Sequence, residues 1–321
     1  MSLVDDISEE ELMELEKELK KLETKDKALK QSQSKPEKVE RELKSYLKTS
    51  KITRVSTGIP ELDQALEGGV PKGSWVTLTG EPGTGKSILC MHFAWAGLKV
   101  GDPVVYVTTE AEFRDIVKQA RLFGMDFEQY SIYDISSGKE LDRLPNIVVI
   151  DIFGLLKIAR QISESVSLDA ESARKRRFAA LDIQTLIAAI HEAYKVLGVL
   201  KEGSKSPIKH VRLIIDSLSA FWADRPAMAR KYSYELKIAS HRENVTAYLV
   251  SQYAMTTKST FGFGLEHIAD GVFHLWMDDV EANKGISRYF IVKKMRMTNH
   301  EKRAFALDII PEKGVVLTIL K

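Results

Sequence analysis

The chain has 321 residues, of which 44% are hydrophobic and 29% charged, and its formal net charge at pH 7 is +2. This length and apolar content allow one substantial core with a small appendage and exclude two full domains of similar size. The low net charge excludes a protein that coats nucleic acid by bulk charge, so any nucleic-acid contact must come from local clusters of cations.

Cysteine usage and hydropathy restrict the compartment. Cys90 is the single cysteine, which excludes a disulfide within the chain and fits a reducing environment. No signal-peptide pattern and no run of about 18 uncharged apolar residues occurs. We therefore expect a cytoplasmic protein without a membrane span.

Residues 1–50 are predicted to form a charged helical arm. They contain 13 Asp or Glu, 11 Lys or Arg, no glycine and one aromatic residue, Tyr46, which is too little apolar surface for an independent core. A narrow helical seam is formed by Leu12, Leu15, Leu19 and Leu22. Two interpretations stay open: a solvated arm lying on its own body, or an arm that packs on a neighbouring subunit or a protein partner.

Residues 76–87 fill every fixed position of the phosphate-loop pattern G-x-x-x-x-G-K-[ST]. A β-branched run at 76–79 predicts a strand before the loop, and the apolar residues 88–98 predict a helix after it. Glycine lets the main chain approach phosphate, Lys86 supplies a positive charge, and Ser87 supplies a hydroxyl for Mg²⁺. The alternative is a Gly-rich turn without a ligand. The predicted ATP contacts are Gly80, Glu81, Pro82, Gly83, Thr84, Gly85, Lys86, Ser87 and Ile88.

The segment before the loop resembles a known family. Residues 56–63 read STGIPELD and residues 66–73 read LEGGVPKG. This run into the phosphate loop resembles the KaiC and RadA branch of the RecA-type ATPases, and the resemblance covers roughly residues 52–321. It implies an α/β fold over residues 51–321, with a central, mostly parallel, twisted sheet flanked by helices. It also implies a nucleotide bound between the subunits of a ring or filament.

Glu110 is the predicted catalytic base. It follows the predicted strand Val104–Thr108, and ligands sit at the carboxyl ends of strands in an open α/β sheet. A carboxylate there can polarise the water that attacks the γ-phosphate. The match to the family's T-E-x-x-F-R arrangement supports the position. KaiC proteins often have two adjacent glutamates here, whereas this chain has Ala111, which leaves one base as in RadA and predicts slow or altered hydrolysis.

Two hydrophobic runs end in an aspartate that could support Mg²⁺, at Asp151 and at Asp216. We choose Asp216, because the residues that follow it resemble the family's D-S-L-S pattern. Asp151 stays the alternative, or an ordinary strand-end residue in a turn. The next strand ends at Gln252, which we expect to sense the γ-phosphate. Ser87 and Asp216 are therefore the predicted metal-site residues.

Lys294 and Arg296 resemble the K-x-R of KaiC proteins. The resemblance implies that both cations cross the subunit boundary to a neighbour's γ-phosphate, where they neutralise charge in the transition state. A polar strand end is the alternative. Residues 265–272 resemble the segment that carries phosphorylatable Ser or Thr in the clock kinase, but Glu266 and His267 occupy those places. We therefore expect no autophosphorylation there.

Loops after the Asp216 and Gln252 strands are the candidate nucleic-acid contacts. In RecA-type recombinases, loops at equivalent places hold single-stranded DNA, and aromatic residues beside cations suit base stacking and phosphate contact. The alternative is a loop that packs on a neighbour. The candidates are Arg225, Arg230, Lys231, Tyr253, Lys258 and Phe261. The basic run 174–177 is another possible contact or a solvated helix face.

The sequence therefore predicts an Mg²⁺-dependent ATPase in a homohexameric ring. The first hypothesis for its biology is a RadA paralogue that acts on single-stranded DNA in recombination and repair. The second is a KaiC-like switch whose ATP state controls a protein partner without DNA binding. A third is a nucleotide-holding scaffold. The intact set of predicted catalytic and metal-site residues argues against it: Lys86, Ser87, Glu110, Asp216, Lys294 and Arg296.

Overall fold

The computed structural model describes residues 52–162, 181–199, 208–221, 226–252, 265–278 and 285–320, together with Met13 and Lys17. The predicted arm 1–50 otherwise lies outside the described residues, and its boundaries stay a prediction. Thr53–Lys321 forms one compact unit. No helix in the described ranges is both long and apolar enough to cross a membrane.

Strands and helices alternate through most of the unit. The helices are α1 (Pro60–Ala65), α2 (Lys86–Lys99), α3 (Phe113–Leu122), α4 (Ile152–Ile162), α5 (Ile183–Val196), α6 (Ala229–Ser240) and α7 (Leu265–Ile268). The strands are β1 (Arg54–Val55), β2 (Val70–Pro71), β3 (Trp75–Gly80), β4 (Val104–Thr108), β5 (Ile132–Asp134), β6 (Ile147–Asp151), β7 (Val211–Asp216), β8 (Val245–Gln252), β9 (Gly271–Met277), β10 (Arg288–Met295), β11 (Phe305–Ile310) and β12 (Gly314–Ile319).

Ten strands form one sheet in the order β12-β11-β10-β9-β3-β8-β7-β4-β6-β5. The strands from β9 to β5 in this order pair in parallel, and β10, β11 and β12 extend the sheet in antiparallel pairs. One buried cluster joins the sheet to α2 and α3, and another joins it to α5 and α6. The predicted α/β fold, with a mostly parallel sheet flanked by helices, is confirmed.

The strand order brings the chemically important strand ends together. Gly80 at the end of β3 pairs with Gln252 at the end of β8. Thr108 at the end of β4 pairs with Asp216 at the end of β7, and β7 pairs with β8. Because these strands are parallel, their carboxyl ends share one edge of the sheet, where α/β proteins bind ligands.

His92 connects helix α2 to the last strand. Its Nε2 accepts a hydrogen bond of 2.9 Å from the backbone N–H of Val315 in β12. A Cβ on Gly314 would lie 2.2 Å from that nitrogen, so glycine is what lets β12 approach the ring. An accepting Nε2 carries no proton, so this contact requires the neutral imidazole. Burial lowers the pKa of His92 to about 4.

Acid should therefore destabilise the fold through His92. Its pKa in the folded chain is about 4, below the ordinary 6.5, so the unfolded chain takes up the proton first as the pH falls. The free energy of unfolding should decrease between pH 6.5 and 4, by about 3 kcal/mol from this group. Urea unfolding at several pH values compares the free energy of unfolding of the original protein with that of His92→Gln. The amide oxygen of the glutamine can still accept the hydrogen bond from Val315. An identical pH dependence in the two proteins would contradict this assignment.

Candidate active site

The phosphate loop connects β3 to α2, and close backbone contacts explain its glycines. A Cβ on Gly80 would lie 2.0 Å from the carbonyl oxygen of Leu275 in the neighbouring strand β9. Gly85, with φ of 102°, is the N-cap of α2. Lys86 and Ser87 are consequently the first two residues of the helix, and the positive end of its dipole lies at the loop.

Lys86 is buried inside the loop, with its side chain curled back toward the main chain. Its Nζ donates to the carbonyl oxygens of Gly80, at 3.0 Å, and Glu81, at 2.6 Å. Burial lowers the pKa of Lys86 to about 8, with Asp216 and Glu110 acting in the opposite direction. The ammonium is therefore still protonated at neutral pH and available to an anion.

The rest of the loop has an exposed part, residues 81–83, and a buried residue, Thr84. Glu81, Pro82 and Gly83 are exposed, whereas the hydroxyl of Thr84 donates to the carbonyl oxygen of Glu81 at 2.8 Å. The sequence prediction missed Arg288 of β10, whose Nε donates to the carbonyl oxygen of Gly83 at 3.0 Å. No local signal could have found this contact, because 205 residues separate its partners.

Asp216 lies beside the loop at the end of β7 and is 7% exposed. Burial raises its pKa to about 6, and the nearby charge of Glu110 adds to the increase, while a hydrogen bond with Ser87 and the charge of Lys86 oppose it. A buried carboxylate and a helix-terminal hydroxyl are oxygen donors of the kind that Mg²⁺ prefers. Ser87 and Asp216 therefore fit the predicted metal.

Glu110 is held by groups from two other strand ends. Its Oε1 accepts from the hydroxyl of Ser217 at 2.5 Å. Gln252 Nε2 lies 2.8 Å from Oε1 and 2.9 Å from Oε2 of the same carboxylate. The backbone N–H of Gln252 donates to the hydroxyl of Ser219 at 2.7 Å. The structure thus brings Glu110 and Gln252 together. It also adds Ser217 and Ser219 to the site, and the D-S-L-S run 216–219 was the sequence signal that could have predicted them.

Asp151 has a different environment. Its carboxylate accepts from the backbone N–H of Phe113 at 2.8 Å and from that of Gly154 at 2.7 Å. These bonds attach the starts of α3 and α4 to the end of β6. The position is that of a strand-end residue with backbone partners, and this geometry favours Asp216 as the metal-site carboxylate.

Lys294 and Arg296 lie away from this group. Lys294 pairs in register with Val272 near the start of β9, whereas Leu275, further along β9, pairs with Gly80 of the loop. Antiparallel β10 therefore ends at the sheet edge opposite the phosphate loop. Lys294 Nζ donates to the carbonyl oxygens of Glu266 and Ala269 at 3.1 and 2.6 Å. Arg296 forms an ion pair with Asp270 at 3.1 Å.

The candidate nucleic-acid contacts are only partly described. Arg230 and Lys231 are exposed at the start of α6, and Lys231 lies 3.8 Å from Glu235. The other candidates, Arg225, Tyr253, Lys258 and Phe261, lie outside the described residues, as does the basic run 174–177. Contact with nucleic acid by any of them stays a prediction.

The fold and the phosphate loop define a P-loop ATPase of the RecA type. Comparison with known proteins then gives the family: the model described as "ATPase: KaiC" matches residues 55–135 and 159–321, so the chain belongs to the KaiC ATPase family. Membership confirms the resemblance to the KaiC and RadA branch.

Similar proteins agree with this assignment. A UPF0273 protein of Methanopyrus kandleri is 32% identical over 262 residues, covering 81% of this chain and 90% of that protein. A UPF0273 protein of Thermotoga maritima is 31% identical over 268 residues, covering 83% of this chain and 96% of that protein. The crystal structure of a KaiC-like protein from Pyrococcus horikoshii OT3 is 27% identical, with a TM-score of 0.55, and covers 83% of this chain and 99% of that one.

Proposed function

We propose that the protein is an Mg²⁺-dependent ATPase whose site is completed by a neighbouring copy of the chain. One observation carries the proposal. The phosphate loop, Asp216 and Glu110 converge at one edge of the sheet, whereas Lys294 and Arg296 end at the opposite edge. Within one chain these two cations cannot reach a nucleotide bound at the loop.

The residues at the loop have distinct roles in this proposal. The loop N–H groups and Lys86 bind the phosphates. Ser87 and Asp216 hold Mg²⁺, which neutralises phosphate charge when it is bound. Glu110 accepts a proton from the attacking water, and Gln252, hydrogen-bonded to that carboxylate, responds to the γ-phosphate.

The cations at the far edge give the reaction its dependence on assembly. As the bond between the γ-phosphoryl group and its leaving group breaks, the electron pair moves to the leaving-group oxygen, and a positive group placed beside the phosphates stabilises that developing charge and lowers the barrier. If Lys294 and Arg296 of one copy provide that charge to the next copy, isolated subunits bind ATP but turn it over slowly. A homohexameric ring or a filament would both provide such a neighbour.

The specific activity should therefore rise with protein concentration. ATP turnover per subunit is measured with excess Mg²⁺ from well below to well above the concentration at which subunits associate. Arg296→Ala should have low activity at every concentration while it still binds ATP, whereas Arg303→Ala, an exposed arginine paired with Glu301, serves as the control. A constant turnover per subunit across the whole range would rule out completion of the site by a neighbour.

For the target, we propose single-stranded DNA, in recombination and repair. Support comes from the exposed cations Arg230 and Lys231 at the start of α6, a helix that follows the Asp216 strand in the chain. The second candidate is a KaiC-like switch that acts on a protein partner, for which the charged composition of residues 1–50, predicted as a helical arm, is the support in the sequence. In both cases Gln252, the last residue of β8, would connect the ATP state to the part of the chain that follows it.

Binding to labelled single-stranded oligonucleotide decides between these two targets. On the DNA hypothesis, binding should exceed that to duplex, weaken steeply as salt rises, and strengthen with a non-hydrolysable ATP analogue. The double variant Arg230→Ala, Lys231→Ala should reduce the salt dependence, and Lys118→Ala on α3 provides an exposed-cation control. Absence of binding by assembled protein at low salt would reject DNA and leave the protein partner.

A further inference from the structure

Strand β12 lies at one end of the ten-stranded sheet, and among the described strands it pairs only with β11. Edge strands in natural proteins are usually protected from further pairing by a charged residue, a proline, a bulge or a covering element. The sequence of β12 is GVVLTI, without charge or proline, and its six pairs with β11 follow one another without a register shift. The strand therefore has none of the first three protections.

Two hydrogen bonds show which backbone groups of β12 point away from the sheet. In an antiparallel pair, residues alternate between bonding to the partner strand and pointing outward. The N–H of Leu320 donates to the carbonyl oxygen of Ala304, the residue before β11, at 2.9 Å. The N–H of Val315 instead donates to His92, also at 2.9 Å. Odd-numbered residues of β12 therefore point their backbone groups outward.

His92 occupies only the start of this outer edge. Within the described residues, no hydrogen bond reaches the outward N–H groups of Leu317 and Ile319. Each of these two residues presents an N–H and a C=O group, with the spacing that suits the backbone of another extended chain. Ile319 is 41% exposed, so an apolar side chain accompanies the outward backbone groups.

A groove of about 920 Å³ lies beside this end of β12, with Leu317 and Ile319 in its lining. Helix α1 contributes Glu61 to one wall, and residues 299–303 form the other wall. The backbone N–H of Glu301 donates to the carbonyl oxygen of Ala65 at 2.9 Å, which joins the two walls. We call this surface the β12 groove. It combines an open strand edge with side walls, as sites that bind a peptide by strand addition require.

The charges of the β12 groove nearly cancel. Glu301 pairs with Arg303 at 2.9 Å, and the groove contains one further acid, Glu61, and one further base, Lys302. An occupant is therefore selected by backbone pairing and apolar contact rather than by charge. This argues against nucleic acid, because its binding depends on an excess of cations.

We propose that the β12 groove binds a short extended segment of a partner protein, which adds to the sheet beside β12. Alternate side chains of the segment are apolar and contact Ile319, and those between them are polar and face away. A second copy of this chain fits less well. Only Leu317 and Ile319 are left for pairing, whereas an interface between two whole proteins needs about 1,000 Å². The inference goes beyond the proposed ATPase and does not depend on it.

The test selects peptides and then identifies how they bind. A random seven-residue peptide library is selected on the original protein, and the affinity of the enriched peptides is measured by fluorescence polarisation. Their sequences should alternate apolar and polar residues. Methylation of alternate backbone nitrogens should abolish binding in one of the two alternating frames only, because an edge strand pairs with every second residue. Added salt should change the affinity little.

A charge on the strand edge then locates the site. Ile319→Lys should weaken peptide binding about 10-fold or more, because a hydrated ammonium replaces the apolar contact. Ile310→Lys is the matched control: it changes a 37% exposed isoleucine at the other end of the same hairpin, the last residue of β11, and should bind as the original protein does. Thermal unfolding verifies that both variants fold.

Several outcomes would overturn the inference. They are the absence of any enriched peptide, equal affinity in Ile319→Lys and the original protein, an equal loss in Ile310→Lys, or steep weakening by salt. Equal effects of methylation in both frames would overturn strand addition. Self-association of the original protein that Ile319→Lys abolishes would assign the groove to a second copy. Peptide binding by a protein that fails to hydrolyse ATP would overturn the proposed function and leave this inference standing.

Discussion

Lys86→Ala should weaken ATP binding by about 10²-fold or more, because removing one partner of a buried charged contact costs about 2–5 kcal/mol. Lys86 is 6% exposed, and its Nζ is held by the loop carbonyl oxygens of Gly80 and Glu81. Without the ammonium, those carbonyl oxygens lose their donor and the phosphates lose their cation. Both effects act in the same direction.

Titration with a fluorescent ATP analogue measures this loss. Lys99→Ala is the matched control, because Lys99 is the last residue of the same helix and is exposed. It should bind the analogue as the original protein does. Retained affinity in Lys86→Ala would mean that the nucleotide does not bind at this loop, and the proposed function would fail with it.

Glu110→Gln should keep ATP binding and lose turnover by about 10²–10⁴-fold, which is the usual contribution of a positioned general base. The substitution preserves the size of the side chain and leaves an oxygen to accept the hydrogen bond from Ser217. It removes the charge that can take the proton from water. Loss of activity with retained affinity is therefore expected.

The neighbouring carboxylate of Glu112 provides the control for this experiment. It pairs with Arg114 at 2.8 Å and with Lys157 at 2.7 Å on the surface, and no contact joins it to Gln252 or Ser217 within the described residues. Single-turnover ATP hydrolysis should be nearly normal in Glu112→Gln. Equal rates for Glu110→Gln and the original protein would move the base to another residue.

The phosphate loop could be predicted from the sequence because its function is local. The loop residues follow one another in the chain. Glycine is required where the backbone must approach phosphate or pack closely on a neighbouring strand, as the backbone of Gly80 does against the carbonyl oxygen of Leu275. The flanking elements were predicted to within two residues: the strand at 76–79 is Trp75–Gly80, and the helix at 88–98 is Lys86–Lys99. The difference at the helix start arises because Gly85, in a left-handed conformation, caps the helix from inside the loop.

Tertiary structure decided which distant groups meet. One hydrogen bond joins Glu110 to Ser217, which lies 107 positions later in the chain. Another joins Arg288 to Gly83 across 205 positions. Runs of β-branched residues predict strands, but they do not encode the order in which strands pair. That order follows from packing of helices on both faces of the sheet. The direction of β10 was also decided by the tertiary structure. Because β10 runs antiparallel to β9, Lys294 and Arg296 lie at the edge of the sheet opposite the loop.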